Sequence, residues 1–301
     1  MMKVALIGAG AVGAYFVWGF SKSEEVEFTV IATGERRERL AANGLTINKK
    51  LFMPKVAEPV DAGIQDMILV ATKYSGLHDA IALLPDMVDE HTVILSLLNG
   101  VDSEDVIKAA LPNANVLHSV MRIASVRDDD GVRFNPMVTE GVSYGATCEA
   151  ENALVDYVDA IFNMGRSNHH IKENILYEEW LKYAGNIVNN LPQAIAGCNS
   201  SIYFESEHGR FLADRLWEEL RRVAACYDIT LPAETGFFPS AFRNSKYSTL
   251  QDLEAGRPTE VDMFAGKLID MAKANGIEVP YTAFTYHVIK LLEEKNQGKF
   301  E

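Results

Sequence analysis

The chain has 301 residues, 48% apolar, 23% charged and 9% aromatic, a globular composition that excludes disordered, collagenous and coiled-coil classes. With 28 Lys and Arg against 42 Asp and Glu, the net charge of −14 repels polyanions; no basic stripe offsets it, so nucleic acid is not an expected partner. No apolar run approaches bilayer length, Val4–Ile7 leads into glycines rather than a cleavage site, and Cys148, Cys198 and Cys226 are too scattered for a disulfide framework, so a cytoplasmic protein with no membrane partner is expected. The seven histidines show no metal-binding spacing, and no metal site is expected.

The first half alternates strands and helices. Lys3–Ile7, Phe28–Ala32, Met67–Ala71, Val93–Leu97 and Asn115–Val120 are short runs rich in Val, Ile, Leu or Met, bounded by Gly, Pro, Asn or charged residues. Ala11–Lys22, Ser75–Leu84 and Ser103–Ala110 between them are helical in pattern. This order predicts a Rossmann-type, doubly wound parallel sheet. Val132–Asn135 and Val138–Tyr144 then suggest a late antiparallel excursion, and Glu151–Phe162 a closing helix. From Glu173 onward the pattern is nearly all helical: Glu173–Cys198, Glu205–Tyr227, a broken stretch around Phe237–Leu253, Thr259–Asn275 and Thr282–Lys295. Two domains are expected, an α/β domain over 1–168 and an all-α helical domain over 169–301.

Gly8-Ala9-Gly10-Ala11-Val12-Gly13 is G-x-G-x-x-G, placed between the first strand and the first helix of a β-α-β unit. Such a loop lets the backbone approach a pyrophosphate, which the helix N-terminus then attracts. The bland alternative is a glycine-rich turn without a ligand. The second strand ends Val30-Ile31-Ala32-Thr33-Gly34, with no acid for a ribose 2′-hydroxyl, and Arg36, Arg37 and Arg39 come next. That pattern favours the 2′-phosphate of NADP(H) over NAD, unless the arginines merely solvate a helix start. Lys73 and Asn99 come after the third and fourth strands, at the edge where doubly wound sheets bind ligands.

In the second half, Lys182, Asn186 and Asn189 or Asn190 share a helix face by i, i+4 spacing. An exposed polar stripe would serve as well, but asparagines are poor helix formers and good readers of hydroxyl, carbonyl and carboxylate groups. In Gly256-Arg257-Pro258-Thr259-Glu260-Val261-Asp262, Pro258 and Thr259 suit a helix start, which puts Glu260 on the same side of that helix as Met263, Phe264, Lys267 and Met271, bordering an apolar face, unless it is simply a first-turn acid favoured by the helix dipole.

Taken together, these features resemble the ketopantoate reductase family. The most specific parts are Trp180, Lys182, Asn186 and Asn190 in W-x-K-x-x-x-N-x-x-x-N, and Ser248, Leu250, Gln251 and Asp252 followed by Gly256, Arg257, Thr259, Glu260 and Asp262. The resemblance spans nearly the whole chain and implies NADPH-dependent reduction of a 2-oxo acid, in pantothenate and coenzyme A synthesis for the family's own substrate. It implies Lys182 as general acid, Glu260 as a carboxylate near cofactor and substrate hydroxyl, and Asn99, Asn186, Asn190 and Ser248 as substrate-binding residues. The Gly8–Gly13 loop, Arg36, Arg37, Lys73 and Asn99 would hold NADP(H).

Departures from the family pattern are Thr33 for a frequent Arg, Tyr247 for a second Ser, and Cys198-Asn199-Ser200 where Asn is frequent. His118-Ser119 stands for a frequent Gly-Gly, with an unusual Arg122 shortly after. They leave open a paralogue acting on another 2-oxo acid. A non-catalytic NADP-binding sensor and a relative in the wider dehydrogenase group with a helical second domain, such as a 3-hydroxy acid dehydrogenase, are further alternatives, and the protein is expected as a monomer or a homodimer.

Overall fold

The computed structural model describes residues 1–234 and 243–300. These form two compact units, Met1–Glu178 and Glu179–Glu301.

The first unit is built on an eight-stranded sheet. Its strands are β1 (Met2–Ile7), β2 (Val26–Ile31), β5 (Lys55–Ala57), β6 (Met67–Val70), β7 (Val93–Ser96), β8 (Asn115–Arg122), β11 (Gly141–Gly145) and β12 (His169–Ile171). They run in the order β12-β11-β8-β7-β6-β1-β2-β5. All neighbours are parallel except β8 and β11, where Val142 lies opposite Met121. The central strands are mostly apolar because both faces are covered. Alternation sorts them: Val4, Leu6, Met67, Leu69, Val93 and Leu95 join one core, and Ala5, Ile7, Ile68, Val70 and Ile94 the other. α1 (Gly13–Phe20) and α6 (Asn152–Asn163) cover the first face, where Tyr15, Phe16, Phe20, Tyr144 and Phe162 form a chain of ring contacts. Leu77 and Ala80 of α4 (Leu77–Ala82) and Ile107 of α5 (Ser103–Ala110) cover the second. α2 (Gly34–Asn43) and the short α3 (Pro59–Ala62) complete the unit.

A second sheet is built from β3 (Leu45–Ile47), β4 (Lys50–Phe52), β9 (Ser125–Asp128) and β10 (Gly131–Phe134), in the order β4-β3-β10-β9. Asn48 and Lys49, with φ of 50° and 65°, turn the chain between β3 and β4. Phe134 packs on Tyr15 and Trp18 with ring centroids 5.3 and 5.9 Å apart, which seats this sheet on α1.

The second unit is helical: most of α7 (Ile175–Gly185), then α8 (Leu191–Ala196), α9 (Ile202–Glu205), α10 (Glu207–Ala225), α11 (Ser248–Glu254), α12 (Lys267–Ala274) and α13 (Pro280–Asn296). Two π-helical turns, Asn186–Asn190 and Asp262–Gly266, precede α8 and α12.

Several expectations need correction. The division falls at Glu178/Glu179 rather than 168/169, because His169–Ile171 pairs in parallel with β11 and extends the first sheet. The late antiparallel strand is Gly141–Gly145; Val138 instead lies in the preceding turn, its N–H bonded to Asn135 O at 3.3 Å. The helix expected over Glu173–Cys198 is interrupted by the first π turn: Pro192 has no N–H for the Val188 carbonyl, so regular α-helical bonding cannot continue there. Helix begins only at Val261, so Glu260 stands just outside it rather than on its apolar face. Residues 237–242 of the broken stretch around Phe237–Leu253 lie outside the described residues.

Candidate active site

In the first unit the expected cofactor residues gather at the carboxyl ends of parallel strands. Gly8 follows β1, Thr33 follows β2 at the start of α2, Lys73 follows β6, and Asn99 follows β7. The glycines of the loop have different jobs. Gly8 has φ of +100°, and a side chain there would come within 2.6 Å of the Ala71 carbonyl carbon. A side chain at Gly13 would overlap the Gly8 carbonyl oxygen. Gly10 is open: the nearest group to where its side chain would begin is Nη1 of Arg127, 4.0 Å away. Gly8 and Gly13 therefore close the strand–turn–helix unit, and Gly10 is where backbone faces free space. Ala9 is buried beneath, Ala11 and Val12 complete the turn, and the N-terminus of α1 stands beside it, with the Ala14 N–H bonded to Gly10 O at 2.9 Å.

The loops after β6 and β7 are tied together. The Tyr74 hydroxyl, one residue after Lys73, donates to Asp102 Oδ2 at 2.8 Å, at the start of α5. Burial and that carboxylate push the Tyr74 phenol well above its usual range.

The two arginines proposed for phosphate differ. Arg37 Nη1 lies 3.8 Å from Glu58 Oε1. Arg36 has no ion-pair partner among the described residues. Its guanidinium is held below the ordinary value by partial desolvation, and then by the charges of Arg39 and Arg127. Arg122, a departure from the family pattern, is engaged by carboxylates at both nitrogens: Nη2 reaches Glu178 at 2.8 Å and Nη1 reaches Glu140 at 3.2 Å.

In the second unit the polar seam is assembled around the first π turn. Lys182 is half-buried on α7, and Asn186 and Asn190 are the first and last residues of the turn. Asn190 is 4% exposed, and its Nδ2 reaches Ser248 Oγ at 3.4 Å, bringing together two expected site residues from distant parts of the chain. Asn186 Nδ2 is buried with no hydrogen-bond partner among the described residues. The seam extends beyond the asparagines to Gln193, which is fully buried; its Oε1 accepts the Tyr247 N–H at 2.7 Å, while its Nε2 is unsatisfied among the described residues. The Tyr203 hydroxyl donates to Asn189 O at 2.5 Å and accepts from Gln193 N at 3.3 Å. Buried donors without acceptors are costly unless a ligand completes them, so the arrangement suits a compact polar molecule bearing oxygen acceptors.

Glu260 is half-buried, and its carbonyl accepts the Phe264 N–H at 3.0 Å. Neighbouring Thr259 is fixed by Glu293, whose Oε1 accepts both its N–H and its hydroxyl at 2.7 Å. Asp252 holds Arg257 at 2.8 Å, which closes the loop leading to Glu260. Sequence reading passed over Gln193, although it lies three residues after Asn190 on the same seam. It also passed over Arg127, whose short polar strand carries no apolar signal.

Models of the family described as "Ketopantoate reductase PanE/ApbA" and its C-terminal part match residues 4–137 and 174–293. The chain is 26% identical to a 2-dehydropantoate 2-reductase of Pyrococcus horikoshii over 99% of both chains. Its fold is similar to a PanE/ApbA family ketopantoate reductase from Ralstonia eutropha, with a TM-score of 0.84 and 24% identity over 98% of this chain and 100% of that one. It is equally similar to D-mandelate dehydrogenase bound to NADH and anilino(oxo)acetate, with a TM-score of 0.85 and 22% identity over 98% and 99% of the two chains. With both halves matched and the glycine loop and lysine–asparagine seam in their expected units, the chain belongs to the ketopantoate reductase family of oxidoreductases.

Proposed function

We propose that the protein reduces a 2-oxo acid to the 2-hydroxy acid with NADPH, its substrate being 2-dehydropantoate and its product pantoate, a step of pantothenate synthesis. The observation that carries this reading is the Asn190–Ser248 contact within a seam that also holds Lys182 and the unsatisfied Asn186 amide.

The nicotinamide, when bound, supplies a hydride to C2 of the substrate. Gly10 leaves room for a dinucleotide's phosphates, with the α1 N-terminus beside them, and Ala9, Ala11, Val12, Lys73 and Asn99 would line the rest of the cofactor's path. Lys182 donates a proton to the C2 oxygen and stabilises the negative charge that grows there. Asn186 Nδ2 donates to a substrate oxygen, and Asn190 and Ser248 orient the substrate's carboxylate and hydroxyl. Glu260 accepts from the substrate's hydroxyl. Arg36, with no carboxylate on it, is available to the 2′-phosphate and so favours NADPH over NADH.

A second reading, a different 2-oxo acid, is favoured by Tyr247, whose partly buried ring stands at the start of α11 beside Ser248, and by the mandelate dehydrogenase likeness. The test is NADPH oxidation, monitored by absorbance, with 2-dehydropantoate and with aryl and branched 2-oxo acids. Turnover confined to 2-dehydropantoate supports the first reading. Preference for a bulkier acid supports the second, and no turnover with any of them contradicts both.

A further inference from the structure

The β9–β10 hairpin contributes a cationic side chain to the glycine loop. Arg127 pairs opposite Val132, so both project from the same face of the hairpin, as does Phe134 two residues on. Val132 and Phe134 are buried in the core, and Phe134 is wedged against Tyr15 and Trp18 of α1. That packing sets the hairpin's height above α1 and delivers the Arg127 guanidinium to Gly10, where its Nη1 is the nearest group. The opposite face carries Arg133, which Asp128 and Asp130 neutralise. Arg127 has no carboxylate partner among the described residues, and neither do Arg36 or Arg39, which are neighbours one turn apart on α2.

In a chain of net charge −14 with 42 acidic residues, three guanidinium groups without carboxylates at one corner are unusual. Arg36 feels the fields of both others. Mutual repulsion of this kind is relieved by an anion, and a phosphate dianion accepts guanidinium forks from several sides.

We propose that Arg127 is a specificity-determining residue, which with Arg36 and Arg39 forms a three-arginine corner for the ribose 2′-phosphate of the dinucleotide. The assignment rests on the proposed use of NADPH and adds a residue from a different sheet. The hairpin then does more than pad the first unit: it reads the phosphate that separates the two nicotinamide cofactors. Arg37, engaged by Glu58, stands outside the corner.

The test uses the full chain and two probes, adenosine 2′,5′-bisphosphate and ADP, titrated by calorimetry. The first carries the 2′-phosphate without the 5′-diphosphate, and the second the reverse. Arg127→Gln is expected to weaken the bisphosphate about tenfold, the scale of one charge-assisted hydrogen bond, while ADP changes less than about twofold. Arg127→Lys keeps the charge but loses the fork, so it should fall between wild type and Arg127→Gln. An unchanged melting temperature in both variants shows that the hairpin still packs. Equal weakening of both probes would assign Arg127 to the 5′-phosphates and overturn the proposal, as would no change in either. If wild-type protein binds neither probe, the dinucleotide reading itself fails; if wild type binds both and the variant is unaltered, only the role of Arg127 fails.

Discussion

The Tyr183 hydroxyl donates a 2.6 Å hydrogen bond to the carbonyl oxygen of Phe264, both groups fully buried, and so ties the helix carrying Lys182 to the π turn just after Glu260. A π turn loosens the regular i→i+4 ladder, and a hydroxyl from a neighbouring helix can bond the displaced carbonyl. Each π turn of this unit adjoins expected site residues: Asn186–Asn190 follows Lys182, and Asp262–Gly266 follows Glu260. Tyr183→Phe should therefore lower stability by about 1–2 kcal/mol in urea unfolding, the scale of a lost buried hydrogen bond. It should also lower kcat, by loosening the geometry of Lys182. A variant as stable and as active as wild type would show that this bond neither holds the fold nor positions Lys182.

Gly10 and Gly13 differ in what a side chain would meet, open space at the first and the Gly8 carbonyl oxygen at the second. Gly10→Val should weaken dinucleotide binding at least tenfold with little change in melting temperature, because the added side chain enters open space. Gly13→Ala should lower the melting temperature, because its methyl group meets the Gly8 carbonyl. Calorimetric titration with thermal melts of both variants checks the pair. Reversed effects would mean that the loop's open side is not where the cofactor lies.

The buried Asn186 amide predicts a conflict between stability and function. Asn186→Leu removes an unsatisfied donor, so the fold should be unchanged or slightly more stable. KM for the 2-oxo acid should rise at least tenfold, since the amide's proposed acceptor is the substrate. Measuring KM and melting temperature on the same preparation decides it. A destabilised variant with normal KM would make Asn186 a structural residue.

His118, on β8, is buried, and desolvation holds its imidazole below the usual value, opposed by the nearby charge of Glu104. The folded state binds fewer protons than the unfolded chain, whose histidine titrates near ~6.5, so this contribution is complete above that pH and is lost as pH falls below it. Stability by urea unfolding should decline between about pH 7 and pH 5, and His118→Gln should flatten that slope. An unchanged slope would show that other groups carry the acid sensitivity.

Much of the fold was legible because its signals are local and strong. The strand that became β1, the glycine loop and α1 stand where pattern and turn chemistry put them, and β6 and β7, apolar but for Ser96, read as buried strands because both their faces are covered. The second sheet was legible only at Val132–Asn135, which the structure has as β10 (Gly131–Phe134): Leu45–Ile47 and Lys50–Phe52 have three residues each, and Ser125–Asp128 is polar, so neither length nor periodicity marks those three. Asn190 and Ser248 could each be singled out from sequence, but their contact is tertiary. The π turns escaped because helix patterns are read at a fixed period of 3.6 residues; Pro192 could have marked the first, but the helical pattern runs on through it, giving one helix over Glu173–Cys198. Arg127 escaped for the same reason as its strand, since its place over Gly10 depends on how Phe134 packs against α1.

Lys182 as the proton donor is the central claim. The most direct measurement is single-turnover hydride transfer, monitored by loss of NADPH absorbance, in wild type and Lys182→Ala with saturating NADPH and 2-oxo acid. A proton-donating Lys182 predicts a transfer rate lower by about 10²–10⁴-fold in the variant, the scale of a lost general acid, with NADPH affinity nearly unchanged. Transfer at close to the wild-type rate would contradict it.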